Sequence, residues 1–178
     1  IGGDCFALIS KSGKTKDIKV LNASGYAGRN YNLKYFLGKD ITTINPFSSH
    51  AVTIPGAIAG WKELHDKYGF LKWKDIFNIA IDVVKDGVLI NERVSQDWKR
   101  NEKKLLKNNE TKKIFTKNHL AYEYLDNFKN NDLLNTFKFI AEEGKHGFYQ
   151  GSIADNIVST LNDLGGLHTS DDFSKYKP

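Results

Sequence analysis

Two short apolar runs near the start of the chain predict a β-hairpin. Residues 6–9 and 18–21 are rich in Ile, Leu, Val and Phe, whereas the polar, glycine-containing stretch 11–14 between them has the composition of a turn. The next stretch, residues 22–53, has no helical or strand periodicity and contains several glycines and a proline. It is therefore predicted to be a long irregular segment, which is uncommon in a compact domain unless it has a function.

After this segment the apolar positions recur at helical spacing and predict about six helices. Pro55 suits the first turn of a helix that ends at Gly69. The next helix is predicted to end at Asp86-Gly87. Its apolar residues lie on one face, at offsets of 0, 3, 4, 7, 10 and 11: Trp73, Ile76, Phe77, Ala80, Val83 and Val84.

The second half of the chain predicts further helices with recognisable ends. One begins near Asn91, and another has apolar positions from 133 to 141 and stops at Gly144. The last two begin with residue pairs at the spacing of a capping box, Ser152 with Asp155 and Thr169 with Asp172. A hairpin followed by helices predicts an α+β fold, and we expect residues 1–178 to be one domain or part of one.

Composition and charge exclude several classes of protein. The chain has a single cysteine, which excludes an internal disulfide framework, and no apolar run approaches the roughly 20 residues that span a bilayer. Because it begins with Ile1 and contains no Met, we expect it to be a piece of a longer protein. Residues 91–117 hold nine basic and four acidic residues, a difference equal to the whole net charge of +5. A solvated helix face is the favoured interpretation of this segment, so neither nucleic acid nor a membrane is predicted as a partner.

No self-contained catalytic motif is complete. Ser12-Gly13-Lys14-Thr15 resembles the end of a phosphate-binding loop, but Leu8 stands where the leading glycine is needed. Ser48-Ser49-His50 brings hydroxyls next to an imidazole, although a serine triad is assembled by folding and adjacency says nothing about it. The histidines have neither the spacing nor the cysteine partners of a zinc site. No metal and no other cofactor is expected.

Glycine-rich and aromatic segments follow one another in a characteristic order along the chain. Ile1-Gly2-Gly3-Asp4 leads into the first strand, and residues 55–60 have the pattern Pro-Gly-x-x-Ala-Gly. The C-terminal part contains Phe148-Tyr149-Gln150-Gly151, Gly165-Gly166-Leu167 and the acidic and aromatic tail 171–176. In this order the segments resemble the gamma-glutamyltransferase (gamma-glutamyltranspeptidase) family over most of the chain, and the basic region matches least.

The resemblance implies an N-terminal nucleophile (Ntn) hydrolase, a four-layer αββα sandwich of which this chain would be most of the helix-rich large subunit. Family members are made as one precursor that cuts itself into two subunits, and the small subunit begins with the catalytic threonine. The implied function is acyl transfer or hydrolysis of gamma-glutamyl, glutathione-type amides. The implied partners are the small subunit from the same precursor and a small-molecule gamma-glutamyl or other acyl-amide substrate. No catalytic residue is then expected in this chain.

The resemblance also implies one substrate contact here, an arginine after the second strand that pairs with the donor's α-carboxylate. Aligned through residues 20–23, that arginine is replaced by Ser24, and the family's following Ala-Pro by Ala27-Gly28. A guanidinium forms two charged hydrogen bonds with a carboxylate, whereas a hydroxyl offers one neutral donor. Ser24 and Arg29 are therefore the candidate substrate-binding residues. A related acylase or amidohydrolase, an inactive homologue, and a binding module that uses the basic helix 91–117 stay open as alternatives.

Overall fold

The structure, a computed structural model, describes residues 2–10 and 16–178. Contacts divide the chain into two units, the first formed by residues 1–73 and 139–178 and the second by residues 74–138. The prediction of one domain over the whole chain stays a prediction. In chain order the elements of the described residues are β1 (Cys5–Ser10), β2 (Ile18–Ala23), α1 (Leu33–Leu37), a 3-10 helix (Ser49–Ala51), α2 (Ala57–Tyr68), α3 (Trp73–Asp86), β3 (Val88–Leu89), α4 (Glu92–Leu105), α5 (Asn109–Phe115), β4 (Thr116–Lys117), β5 (Leu120–Ala121), β6 (Asn127–Phe128), α6 (Asn131–Glu143), α7 (His146–Tyr149), α8 (Ser152–Asp163) and α9 (Ser170–Ser174).

The predicted hairpin is confirmed. Strands β1 and β2 pair antiparallel, with Cys5 opposite Ala23 and Ser10 opposite Ile18. The predicted turn at 11–14 lies outside the described residues, and so does the whole of Ser12-Gly13-Lys14-Thr15, the segment that resembles a phosphate-binding loop. The irregular stretch after β2 also contains α1, which the sequence did not predict because only five residues form it.

Helix α2 packs against the open end of the hairpin at a distance that only glycine permits. A Cβ on Gly56 would lie 1.9 Å from the carbonyl oxygen of Ala23, and a Cβ on Gly60 would lie 2.7 Å from the Cβ of Ala23. Real Cβ atoms essentially never make contacts this short, so larger side chains at these positions would force the helix away from the strands. The two glycines of the Pro-Gly-x-x-Ala-Gly segment thus fix α2 on the end of β2.

The start of α2 differs from the prediction by two residues. The helix begins at Ala57, with Gly56 as its N-terminal cap, and not at Pro55. The reason is a backbone acceptor from the start of the chain: the N–H groups of Gly56 and Ala57 both donate to the carbonyl oxygen of Gly3, at 2.8 Å. This carbonyl satisfies two of the N–H groups that a helix leaves unpaired at its beginning. The end of α2, at Tyr68 before Gly69, is as predicted.

A buried tyrosine joins α2 to the C-terminal part of the first unit. The hydroxyl of Tyr149 donates to the carbonyl oxygen of Pro55 at 2.6 Å and accepts from the N–H of Ala59 at 3.1 Å. Burial raises the pKa of Tyr149, so the phenol stays protonated and keeps both hydrogen bonds. Its ring stacks on Tyr176, with centroids 5.6 Å apart. The largest fully buried apolar side chains of this unit are Ile54, Ile58, Ile140 and Phe173.

The second unit contains the basic segment, which is two helices and not one. Helix α4 begins after Asn91, as predicted, and ends at Leu105. Helix α5 starts afresh because the Asn108 side chain accepts from the N–H groups of Glu110 and Thr111, and the segment finishes in strand β4. The aromatic rings of the unit pack with centroids 5.2 to 6.0 Å apart: Trp98, Phe115, Tyr122 and Phe128. A binding role for the basic segment stays a prediction.

Of the two predicted capping boxes, one is confirmed. Thr169 and Asp172 form the reciprocal pair at the start of α9. At α8 the cap is Gly151, with a φ of +69° and no side-chain hydrogen bond, so Ser152 is already inside the helix. Asp155 instead accepts a hydrogen bond from Ser170. Among the residues that the structure describes, no helix combines the length and the apolar character that crossing a membrane requires.

Candidate functional site

The candidate residues Ser24 and Arg29 lie on one loop, residues 24–31, which leaves the end of β2. Hydrogen bonds from other parts of the first unit hold the start of this loop. The hydroxyl of Tyr176 donates to the carbonyl oxygen of Ser24 at 2.9 Å, and the Asp4 carboxylate accepts from the N–H of Gly25 at 3.1 Å. The backbone at Ser24 is therefore fixed from both the N-terminal and the C-terminal side.

The middle and the end of loop 24–31 are held in the same way. The N–H of Ile54 donates to the carbonyl oxygen of Tyr26 at 3.0 Å, and the Tyr26 hydroxyl donates to the main-chain oxygen of Asp172 at 2.9 Å. At the far end, the Tyr31 hydroxyl accepts from the N–H of Leu167 at 2.9 Å. These hydrogen bonds come from separate parts of the first unit. Together they hold the backbone of loop 24–31 in one conformation from its start to its end.

The side chain of Asp172 is the buried charged group of this site. It is fully buried, and its carboxylate accepts from the N–H of Arg29 at 3.1 Å and from the N–H and hydroxyl of Thr169 at 3.0 and 2.8 Å. Burial by itself raises the pKa of Asp172, but the donors of Arg29 and Thr169 and the positive charge of Arg29 outweigh it. The pKa of Asp172 consequently lies below its ordinary value, and the group is a carboxylate at neutral pH.

The two predicted substrate-binding side chains are available for contacts outside the chain. Ser24 is half-buried, and its hydroxyl forms no hydrogen bond with any residue that the structure describes. Arg29 is exposed, and within residues 2–10 and 16–178 its guanidinium has no ion pair or hydrogen bond. Among the described residues, no hydrogen bond joins the Ser24 and Arg29 side chains to each other. A free guanidinium on a fixed loop is suited to bidentate binding of a carboxylate.

The other residues considered from the sequence have structural partners. The Ser49 hydroxyl donates to the carbonyl oxygen of Leu164 at 2.9 Å, and His50 shares a 3.0 Å hydrogen bond with the Tyr35 hydroxyl. These contacts give the Ser48-Ser49-His50 segment no triad geometry. Cys5 is half-buried at the start of β1. The described residues contain no group of three or more His, Cys, Asp or Glu side chains that could hold a metal ion.

Sequence reasoning missed the residues that hold loop 24–31. Asp172 was identified only as a capping residue, because its spacing from Thr169 is local, whereas Arg29 lies 143 positions away along the chain. Tyr176 belongs to the acidic and aromatic tail, and its partner Ser24 lies 152 positions away along the chain. The available signal was the acidic and aromatic tail 171–176, but only the fold shows which loop it contacts.

Comparison with known proteins supplies the family. A family model described as Gamma-glutamyltranspeptidase matches residues 1–178. The chain belongs to the gamma-glutamyltranspeptidase family. Among curated relatives, it is 31% identical over 177 residues to the glutathione hydrolase-like YwrD proenzyme of Bacillus subtilis (strain 168), covering 99% of this chain and 33% of that protein. The chain thus spans about a third of the length of this relative.

Two solved structures have the same fold as this chain. The Helicobacter pylori gamma-glutamyltranspeptidase has a TM-score of 0.90 and 30% identity, over 99% of this chain and 51% of that chain. The cephalosporin acylase from Bacillus halodurans has a TM-score of 0.91 and 26% identity, over 100% of this chain and 34% of that chain. The predicted α+β, Ntn-hydrolase fold class is thereby confirmed.

The low pKa of Asp172 predicts an acid-sensitive contribution to stability. Its folded-state pKa lies below the ordinary 3.8, so the ionised group stabilises the fold above that pH, and the stabilisation is lost as the pH falls through the lower folded-state value. We expect Asp172→Asn to lower the urea midpoint of the full-length protein at neutral pH and to flatten its decline in acid. Asp171→Asn, at the exposed neighbouring position, is the control, and an equal flattening in both variants would contradict the assignment.

Proposed function

We propose that this chain is most of the large subunit of a two-subunit gamma-glutamyl hydrolase and transferase, and that its loop 24–31 binds the α-carboxylate of the donor. The observation that carries the proposal is the Arg29 guanidinium, which has no hydrogen bond or ion pair among the described residues and lies on a loop fixed by hydrogen bonds. The family match over residues 1–178 and the fold similarity to the Helicobacter pylori enzyme support it. The protein partner in this proposal is the small subunit made from the same precursor.

The chemical step belongs to the small subunit in this proposal. An N-terminal threonine attacks the gamma-glutamyl carbonyl carbon through its hydroxyl oxygen, while its own α-amine accepts the hydroxyl proton. Backbone N–H groups stabilise the oxyanion, and the proton then passes to the leaving amine, which departs as the acyl-enzyme forms. Water gives hydrolysis of the acyl-enzyme, and an amino acid or peptide amine gives transfer.

Loop 24–31 contributes orientation to this step. A donor whose α-carboxylate is held on a fixed loop presents its gamma-carbonyl at a fixed place, which lowers the entropy lost on reaching the transition state. Arg29 supplies the charged, two-donor contact, and the Ser24 hydroxyl supplies a neutral donor or acceptor five residues earlier. The loop backbone does not need to reorganise for either contact, because Tyr176, Ile54 and Asp172 already hold it.

An acylase with a different acyl group is a second candidate, and two observations favour it. The fold similarity to the Bacillus halodurans cephalosporin acylase is as high as that to the transpeptidase. In addition, a serine stands at position 24, where the family resemblance implies an arginine. Comparing turnover of a gamma-glutamyl anilide with that of an acyl cephalosporin separates the two candidates.

Self-cleavage is the first test of the proposed function. We expect the complete gene product to be recovered as two chains, the smaller of which begins with threonine. Intact mass and N-terminal sequencing measure this without any assumption about the substrate. Replacement of that threonine by alanine is the control and should leave one uncut chain. A wild-type product that is never cut would contradict the enzymatic proposal and favour an inactive homologue.

Arg29→Ala tests the carboxylate contact. Loss of a charged hydrogen bond costs about 1.5 to 3 kcal/mol, which predicts a KM raised roughly 10- to 100-fold for a gamma-glutamyl anilide with little change in kcat. The gamma-aminobutyryl anilide lacks the α-carboxylate, and its KM should not respond. Arg93→Ala removes an exposed arginine from α4 and is the matched control. Equal sensitivity of both donors to Arg29→Ala would show that Arg29 does not bind the carboxylate.

Ser24→Arg tests the alignment. The half-buried hydroxyl has no protein partner to lose within the described residues, and a guanidinium there would add a two-donor contact with the carboxylate. We expect KM for the gamma-glutamyl anilide to fall about 10-fold, equivalent to about 1.4 kcal/mol. Ser24→Gln, which adds length without charge, is the control. An unchanged KM in Ser24→Arg would contradict the placement of Ser24 at the family's arginine position.

A further inference from the structure

We propose that Asp172 is the positioning residue of the donor site, because its buried carboxylate fixes the backbone from which the Arg29 side chain leaves loop 24–31. The inference rests on the proposed function of Arg29. Asp172 itself touches no substrate in this proposal, since the side chain is fully buried. It acts through one hydrogen bond, from the backbone N–H of Arg29 at 3.1 Å.

The two oxygens of the carboxylate have different partners. Oδ2 accepts from the N–H and the hydroxyl of Thr169, which is the capping interaction of α9. The other half of the capping box is the Asp172 N–H, which donates to the Thr169 hydroxyl oxygen at 3.2 Å, so the box uses only one oxygen of the carboxylate. Oδ1 instead accepts from Arg29, on a loop that is remote in sequence. The second oxygen therefore has a role that helix capping does not explain.

Loop 24–31 lies directly against this carboxylate. A Cβ on Gly28 would be 3.2 Å from Oδ2 of Asp172, so the loop could not come closer with any larger residue. Gly28 and Tyr31 close a turn through a 3.0 Å hydrogen bond from the Tyr31 N–H to the Gly28 carbonyl oxygen. Arg29 is the second residue of that turn. The direction of the Arg29 side chain therefore depends on the orientation of this turn. Asp172 holds the turn through the hydrogen bond from the Arg29 N–H.

A carboxylate suits this position better than an amide does. Donors approach both oxygens, from Arg29 on one side and from Thr169 on the other. Asparagine would direct its NH2 group at one of these donors, and a donor that faces a donor forms no hydrogen bond. Asp172→Asn is nearly isosteric with the wild type. Because Thr169 presents two donors and Arg29 only one, asparagine keeps its carbonyl oxygen toward Thr169 and turns its NH2 group toward the Arg29 N–H, which breaks the loop contact. Thr169→Val weakens the cap alone and leaves the Oδ1 contact with Arg29 in place.

The first measurement is hydrogen exchange on the full-length, self-processed enzyme. We expect peptides that cover residues 24–31 to exchange faster in Asp172→Asn than in the wild type, and Thr169→Val to leave that exchange unchanged. Faster exchange of the loop in both variants, or in neither, would overturn the proposal. The result does not depend on the identity of the substrate.

The second measurement is KM and kcat with the gamma-glutamyl anilide and its gamma-aminobutyryl analogue. We expect Asp172→Asn to raise KM for the first donor about 10-fold, to change kcat little, and to leave KM for the second donor unaltered. Thr169→Val should change neither. A purely structural role of Asp172 would change KM for both donors by the same factor, and that outcome would overturn the proposal.

A double mutant separates this inference from the function on which it rests. If Asp172 acts through Arg29, adding Asp172→Asn to Arg29→Ala raises KM no further, whereas additive effects overturn the inference. A raised KM in Arg29→Ala together with an unchanged KM in Asp172→Asn leaves the proposed function standing and removes the role of Asp172. An unchanged KM in Arg29→Ala removes both. Should Asp172→Asn fail to fold, Gly28→Ala is the second variant, because its Cβ would lie 3.2 Å from Oδ2 of Asp172 and shift the loop by a few tenths of an ångström. We expect a smaller rise in KM for the gamma-glutamyl anilide alone, and no rise, or an equal rise for both donors, would overturn the inference.

Discussion

The close approach of α2 to the end of the hairpin is the constraint on which the rest of the first unit depends. Gly56 and Gly60 leave no room for a Cβ against Ala23, and the carbonyl of Gly3 accepts from the first N–H groups of the helix. The end of β2 is thereby fixed at its last residue, and loop 24–31 starts from a defined point. A larger residue at either glycine would move the helix, and with it Ile54, which holds the middle of the loop through Tyr26.

The C-terminal segment holds loop 24–31 beyond the point that the two glycines fix. Tyr176 and Asp172 reach the loop from the far end of the chain and satisfy backbone groups at Ser24 and Arg29. Buried polar groups must be paired, and here the pairing of each one also specifies where the loop lies. The same contacts therefore contribute to stability and define the candidate site, so a substitution in the tail affects the loop without any contact with a substrate.

Local patterns predicted much of the secondary structure, because hairpins, helix stripes and helix ends depend on neighbouring residues. The hairpin, the end of α3 and the Thr169–Asp172 box all follow from spacing of this kind. The start of α2 was misplaced because its cap comes from Gly3, and the Ser152 cap was wrong because Gly151 occupies that position. The family resemblance identified Ser24 and Arg29 as candidate residues, but only the fold shows the long-range contacts that hold their loop.

The position of the positive charge along loop 24–31 bears on which acyl group the site accepts. The loop is held at Ser24, at Tyr26 and at Arg29, so its backbone cannot slide to bring the guanidinium to the place of residue 24. Only the Arg29 side chain can extend toward the position of residue 24, and ordering this side chain costs up to about 2 kcal/mol of rotamer entropy. Because of this entropy cost, the Arg29 guanidinium binds a carboxylate near position 24 less tightly than an arginine at position 24 itself would. The same fixed backbone that makes Arg29 a defined ligand thus weakens selection for a gamma-glutamyl donor, which is the physical argument for comparing it with other acyl groups.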